Sequence, residues 1–263
     1  MMLRYHGVDV DSERLVPQVY LPDRNGSLQI EILAATRRYH HIPYVINPDM
    51  KTLLREVAAG NPVLILQNLG LQWAPQWHYA VVIGYDMKKQ YITLHSGTDP
   101  ERQTSLTTFE RTWQRSGMWG VVITGPEQVP VSAEPQRFIN AVETLQDAGD
   151  AAVRRQAYLT ATRNWPEALL PWLALGNSYY QAGDLAAAEH SFRTGVELHP
   201  DSVMALNNLA QTLADGQRLD EALTIVRHAV SLGGPYAAIV RQTQQDIEER
   251  LATNRDQLPP PRH

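Results

Sequence analysis

The 263 residues include no cysteine. That removes disulfides, thiolate zinc sites and a thiol nucleophile from within this chain. No apolar run reaches the roughly eighteen residues that a bilayer demands, and the N-terminus lacks a basic-then-apolar secretion signal. A soluble chain is expected as given, in the cytoplasm by default or in the cell envelope if a signal sequence precedes it. The net charge of −5 is spread along the chain, and no basic stripe is interleaved with aromatics, so nucleic acid is not an expected partner. Also lacking are an H-E-x-x-H pair, a carboxylate cluster at ligand spacing and a phosphate-cradling glycine loop; Gly84, Gly97, Gly117 and Gly120 stand singly. Neither metal nor cofactor is expected.

What the chain does contain is length enough for two domains and a hydrophobic content of 43%. Its most ordered stretch holds Trp172, Leu175, Gly176, Tyr179, Ala188, Phe192 and Pro200, with Gly183-Asp184 between the halves. These residues resemble, in type and spacing, the tetratricopeptide (TPR) pattern, a helix–turn–helix of about 34 residues. One period later stand Leu206, Leu209, Ala210, Leu213, Ala222 and Val226; one period earlier stand Phe138, Ala141, Val142, Leu145, Tyr158 and Pro166. The inter-helix turn recurs as Gly149-Asp150, and the third turn drifts, with Gly216 one place early. Three repeats are predicted, at 135–168, 169–202 and 203–236, with a capping helix to residue 252. A proline-bearing tail at 253–263, including Leu258–Pro261, is expected to fray.

Ahead of the repeats, Met1–Tyr5 reads as helix closed by Gly7. It resembles the last turn of a longer helix, so a start downstream of the natural one is expected. After the turn Asp23–Ser27, Leu28–Tyr39 is a helix with Ser27 placed to cap it. Tyr44-Val45-Ile46 is a short strand and Asp49–Ala59 a second helix. The period then becomes that of a sheet. Val63–Leu66 is a strand, Tyr79–Tyr85 and Gln90–Leu94 form a hairpin, Thr107 with Glu110 boxes a short helix through Trp113, and Trp119–Ile123 is the last strand. Gly125–Pro135 is the linker. The fold class is therefore α+β, helices then an antiparallel sheet over 1–124, followed by a linker at 125–134 and an all-α TPR solenoid over 135–252.

Gly60-Asn61-Pro62-Val63-Leu64-Ile65, then Trp77-His78-Tyr79-Ala80-Val81-Val82-Ile83-Gly84-Tyr85-Asp86, then Phe109, Trp113 and Trp119-Gly120-Val121-Val122 resemble, in that order, the papain-like cysteine peptidases of the bacteriocin-processing (double-glycine leader peptidase) type. The likeness covers 1–124 and implies a bacterial source. In that family a Gln precedes a Cys that opens the first helix, a His starts a central strand, and an Asp or Asn beyond the next strand orients the His. His78 matches the family's His. The Cys and Gln are not in this chain, so thiol catalysis is expected only of a longer form with a Cys upstream of Met1. The orienting position is open between His95, Ser96 and Asp99. No G-x-S-x-G elbow surrounds Ser96, and His40-His41 reads as a helix-end pair.

The TPR resemblance implies a concave face that binds a protein or peptide. Its exposed positions would be Asn177, Tyr180, Gln181, Asn207 and Gln211, an amide-rich set without the Lys and Arg that clamp a carboxylate. Packing against the N-terminal domain is the alternative use of that face. Two functional readings follow: a cysteine-peptidase homologue on a TPR scaffold, or a non-catalytic peptide-binding adaptor. A purely structural assembly role is a third.

Overall fold

The computed structural model describes residues 1–24, 26–145 and 150–256. Asn25, Gly149 and the tail at Leu258–Pro261 lie outside the described residues. The chain divides into two compact units, Met1–Val153 and Arg154–His263.

The first unit opens with α1 (Met2–Tyr5), α2 (Ser12–Val19) and α3 (Gln29–Arg38), then β1 (Ile42–Val45) and α4 (Met50–Ala58). Gly7 closes α1 at a φ of 77°, in the left-handed region expected of a residue past a helix end. Asp49 starts α4: its carboxylate accepts from the Thr52 backbone N–H at 2.8 Å and from the Thr52 hydroxyl at 2.7 Å. Two expectations are corrected here. Helix α2, capped by Asp11, occupies a stretch assigned no element, because Pro17 within it masked the helical period. Ser27 does not cap α3; Leu28 is the N-cap and makes no side-chain bond, while the Ser27 carbonyl accepts from the Tyr79 hydroxyl.

The sheet comprises β2 (Val63–Asn68), β3 (Trp77–Asp86), β4 (Tyr91–Ser96), β5 (Asp99–Ser105) and β6 (Gly120–Thr124) with β1, all antiparallel, in the order β1-β6-β2-β3-β4-β5. Helix α5 (Leu106–Gln114) packs over β2, β4 and β5. Its start is set by Ser105, whose hydroxyl accepts from the Thr108 N–H, and not by the expected Thr107–Glu110 box. Phe109 and Trp113 are fully buried beneath it. Met2 of α1 packs on Val81, Ile123 and Leu64. Strand β5 has no apolar alternation: six of its seven residues, Pro100 among them, are exposed, so hydrophobic pattern could not announce it.

The rim at β1 is covered by α6 (Pro135–Glu143). Arg137 donates to the Val45 carbonyl at 2.7 Å, also bonds Asn47, and lies 5.4 Å from the centre of the Tyr44 ring. The helix expected to open the first repeat therefore lies within the first compact unit, which ends at Val153.

The second unit contains most of α7 (Ala151–Asn164), then the pairs α8 (Leu169–Gln181) with α9 (Leu185–Leu198) and α10 (Val203–Asp215) with α11 (Leu219–Leu232), and finally α12 (Ala237–Asp256). Leu173, Phe192, Leu206, Leu209, Leu213 and Val226 form its core with Val240 and Ile247 of α12. At the first inter-helix turn Gly183 takes a φ of 79°, and Asp184 caps α9 through the Ala187 N–H. At the next, the left-handed residue is Gln217, φ 63°, one period of about 34 residues after Gly183. The turn keeps its phase although the glycine sits one place early.

Gly176 is fixed by packing. A Cβ there would lie 2.5 Å from the buried Phe192 ring. Gly176→Ala is expected to destabilise the second unit: overpacking costs about 1–3 kcal/mol, and the helix-propensity gain of about 1 kcal/mol offsets only part of it. Thermal unfolding followed by circular dichroism checks this; a raised melting temperature would contradict it.

Candidate functional site

The site is built on β3 and the strands beside it. His78, second residue of β3, lies opposite Gln67 of β2. Ser96 ends β4, just before Gly97 turns the chain at a φ of 62°. Strand alternation puts both side chains on the α5 face of the sheet, where Gln67 donates to the Thr112 hydroxyl at 2.6 Å. There His78 Nε2 lies 2.8 Å from Ser96 Oγ. Of the three candidates for the orienting position, Ser96 is the one bonded to His78.

His95 and Asp99 are not. His95 stands opposite Val81, so it projects from the other face of the sheet. Asp99 is exposed at the start of β5, where its carboxylate accepts from the Glu101 N–H at 3.1 Å. The parity of β4 could have separated these residues, since Leu94 and Ser96 share a face that His95 cannot reach.

Burial holds the His78 imidazole below its ordinary value of 6.5, and the charge of Arg102 adds to the effect. Arg102 comes from β5, the strand the sequence did not disclose. Because the folded-state value is depressed, the unfolded chain takes up a proton more readily. His78's contribution to stability is therefore complete above pH 6.5 and is lost as pH falls from there through the folded-state value. Arg102→Ala is expected to move the titration of His78 back toward 6.5, as read from the imidazole resonances by NMR. No upward movement would remove Arg102 from the site.

The residues on either side of His78 face the opposite way. Trp77 and Tyr79 line a cleft of about 690 Å³ with Ser27, Gln29, Leu66 and Ser116. Burial pushes the Tyr79 phenol up to about 12, so it remains a hydrogen-bond donor at all physiological pH values. Its hydroxyl donates to the Ser27 carbonyl at 3.1 Å, and its ring meets Trp119 edge-on at 6.1 Å. Ser116 also donates to the Leu66 carbonyl. Met2 rests on Val81, two residues along from Tyr79 on this same face. The first turn of the chain and the His78 imidazole thus lie on opposite faces of β3.

In the second unit the five expected groove residues divide. Asn177 and Gln181 are exposed; Tyr180, Asn207 and Gln211 are partly buried. Tyr180 donates to Asp215, which also accepts from Gln211 at 3.2 Å and from Arg250 of α12 at 2.9 Å. Burial raises the Asp215 carboxyl, but these hydrogen bonds outweigh it and hold the group below the usual range. The Asn208 amide donates to Asn177 at 3.1 Å, while Asn207 Oδ1 is buried without a hydrogen-bond partner. The expected face is therefore partly tied up in its own network, and Arg250 and Asp215 were not foreseen because they lie outside the pattern positions.

Among the described residues no cluster of three His, Asp or Glu could hold a metal, and no helix is long and apolar enough to cross a membrane. Residues 1–120 match the model of the Peptidase_C39 like family, and residues 173–237 match that of the tetratricopeptide repeat. No curated protein matches the chain. Similar solved structures include the first TPR domain of human RPAP3, 15% identical over 47% of this chain and 97% of that one, with a TM-score of 0.43. The TPR2B domain of yeast Sti1, in its pHsp70 complex, is 15% identical over 44% and 94%, at 0.40. The type III secretion translocator chaperone SycD of Yersinia enterocolitica is 15% identical over 44% and 85%, at 0.41. The chain joins a domain of the Peptidase_C39-like family, over residues 1–120, to a tetratricopeptide-repeat domain that includes residues 173–237.

Proposed function

We propose that residues 1–124 engage an extended peptide at the cleft lined by Trp77 and Tyr79, on the face of β3 opposite His78, while the repeats recruit a protein or peptide through Asn177, Gln181 and their neighbours. In a catalytic form, His78 is the general base and Ser96 its orienter. The single observation that carries the catalytic form is the 2.8 Å contact between His78 Nε2 and Ser96 Oγ. With Nε2–H donating to Ser96, Nδ1 keeps the lone pair needed to take a proton, and a depressed imidazole stays neutral to do so. Hydrolysis of a peptide bond also requires a thiol, which these 263 residues do not supply. A thiol would have to reach His78 on the α5 face of β3, opposite the face on which Met2 packs.

A second reading, a non-catalytic peptide-binding TPR adaptor, is favoured by one observation. A serine hydroxyl replaces the family's Asp or Asn beside His78, and it is a weaker holder of an imidazolium than a carboxylate. The two readings separate when the 263-residue protein and the product of the longest in-frame upstream extension are each incubated with a peptide library and analysed by mass spectrometry. The peptidase reading expects cleavage by the extended protein alone, abolished by iodoacetamide and by His78→Ala. Peptide retention without cleavage by either form supports the adaptor. Cleavage by the cysteine-free chain, or no peptide retained by either protein, would overturn the common basis of both.

A further inference from the structure

The connection from β2 to β3 is an apolar arm. Leu69, Leu71, Trp73 and Trp77 are 43%, 54%, 84% and 58% exposed. Such a run is costly to leave in water unless something covers it. The arm is also held in shape. Asn68 Oδ1 accepts from the Gly70 N–H at 3.0 Å and the Gln76 N–H at 2.9 Å. Leu69 donates to the Gln76 carbonyl at 2.9 Å, and Leu71 and Ala74 exchange backbone bonds at 3.2 and 3.1 Å. Arg115 of α5 donates to the Gly70 carbonyl. A Cβ on Gly70 would collide with the Ala74 carbonyl and the Gln76 nitrogen, so only glycine permits this close pairing. Apolar side chains displayed on a framework already ordered lose little entropy when a partner arrives.

Two further observations say what kind of partner fits. Trp77 belongs both to the arm and to the cleft wall, so the apolar surface runs continuously into the cleft. On the arm's flank Gln72 joins Arg111, Gln114 and Arg115 around an open pocket of about 370 Å³, with two guanidinium groups and no carboxylate in its lining. The Arg111 guanidinium has no ion-pair partner among the described residues.

We propose that the arm receives a polypeptide segment in which an aromatic or branched apolar residue stands close to Asp or Glu. The apolar residue packs against Leu71 and Trp73, the acidic one meets Arg111, and the segment runs on past Trp77 into the cleft. This assigns a substrate or partner class to the peptide-binding reading and rests on it.

The test uses the full chain and three labelled synthetic peptides followed by fluorescence anisotropy: one with Leu and Phe flanked by Glu, one with each Glu replaced by Lys, and one with Leu and Phe replaced by Ser. Only the first is expected to bind well. The double variant Leu71→Ser/Trp73→Ser should lower its affinity about tenfold or more. Both side chains are exposed, so folding is not at risk. Arg111→Glu should weaken the acidic peptide and strengthen the lysine one. Equal binding of the Glu and Lys peptides, or unchanged affinity in the double variant, would overturn the arm's role while leaving the cleft reading intact. Failure of wild type to bind any of the three, while binding phosphatidylglycerol vesicles, would overturn the proposal in favour of a lipid surface. A failure to bind peptides from the broader library as well would remove the underlying reading too.

Discussion

Trp113→Ala is expected to cost the first unit about 4 kcal/mol, the size typical of deleting a large aromatic from a closed core. Trp113 has no exposed surface, its ring lies 5.7 Å from that of Phe109, and its indole N–H donates to the Trp119 carbonyl at 2.8 Å. Truncation leaves a cavity and also removes the stronger of that carbonyl's two donors, leaving the Leu66 N–H at 3.3 Å. The chain has two compact units, so a single global transition is not assured. Hydrogen exchange should therefore be followed on peptides covering β2 and β6, where protection is expected to fall. Trp113→Phe restores most of the volume but not the donor and should lie between. Exchange unchanged in both variants would mean that α5 does not anchor the sheet.

Glu56→Ala should come next, at about 3 kcal/mol, because it empties a buried polar knot. Glu56 is wholly buried on α4; one oxygen accepts from the Asn61 amide at 2.7 Å and the other from the Ser132 N–H at 2.6 Å. Asn61 in turn accepts from Gln128 at 3.0 Å, and Arg55 donates to the Val131 carbonyl at 3.0 Å. The segment after β6, which has neither helical nor strand pattern, is held down by these bonds to α4 and by the burial of Pro130. Glu56→Gln keeps an acceptor for Ser132 but turns a donor toward Asn61, so about half the loss is expected. Limited proteolysis within 125–134 is the direct readout; resistance equal to wild type in Glu56→Ala would show that other contacts hold the segment.

Repeats were legible because identity and position coincide there: Trp172, Gly176 and Phe192 each answer a specific packing need, and the Gly176–Phe192 contact is that need seen directly. Central strands were legible for a similar reason, since Val63–Leu66 and Tyr79–Val82 are apolar in nearly unbroken runs. What the sequence withheld was held by polar contacts. Strand β5 shows no hydrophobic alternation, α2 carries an internal proline, and the knot around Glu56 joins residues far apart in the chain. At the candidate site, the strand pattern and the family likeness point to His78. Its partner was narrowed to three residues, and only strand parity and the hydrogen bond itself select Ser96. The cleft is not legible in the sequence because Trp77, Tyr79, Ser27 and Ser116 converge only once the sheet is assembled.

The strand at the outer margin bears on how this protein behaves when crowded. Cross-β growth requires an array of vacant amide donors and acceptors against which an incoming copy can zip. At one margin Pro100 withdraws a donor and Glu101 and Arg102 present charge that a stacked copy would have to desolvate; at the other, α6 and the Arg137 guanidinium already occupy the place. Neither border offers a template for polymerisation, so the protein can be concentrated with its apolar arm, rather than its sheet, as the surface that decides self-association.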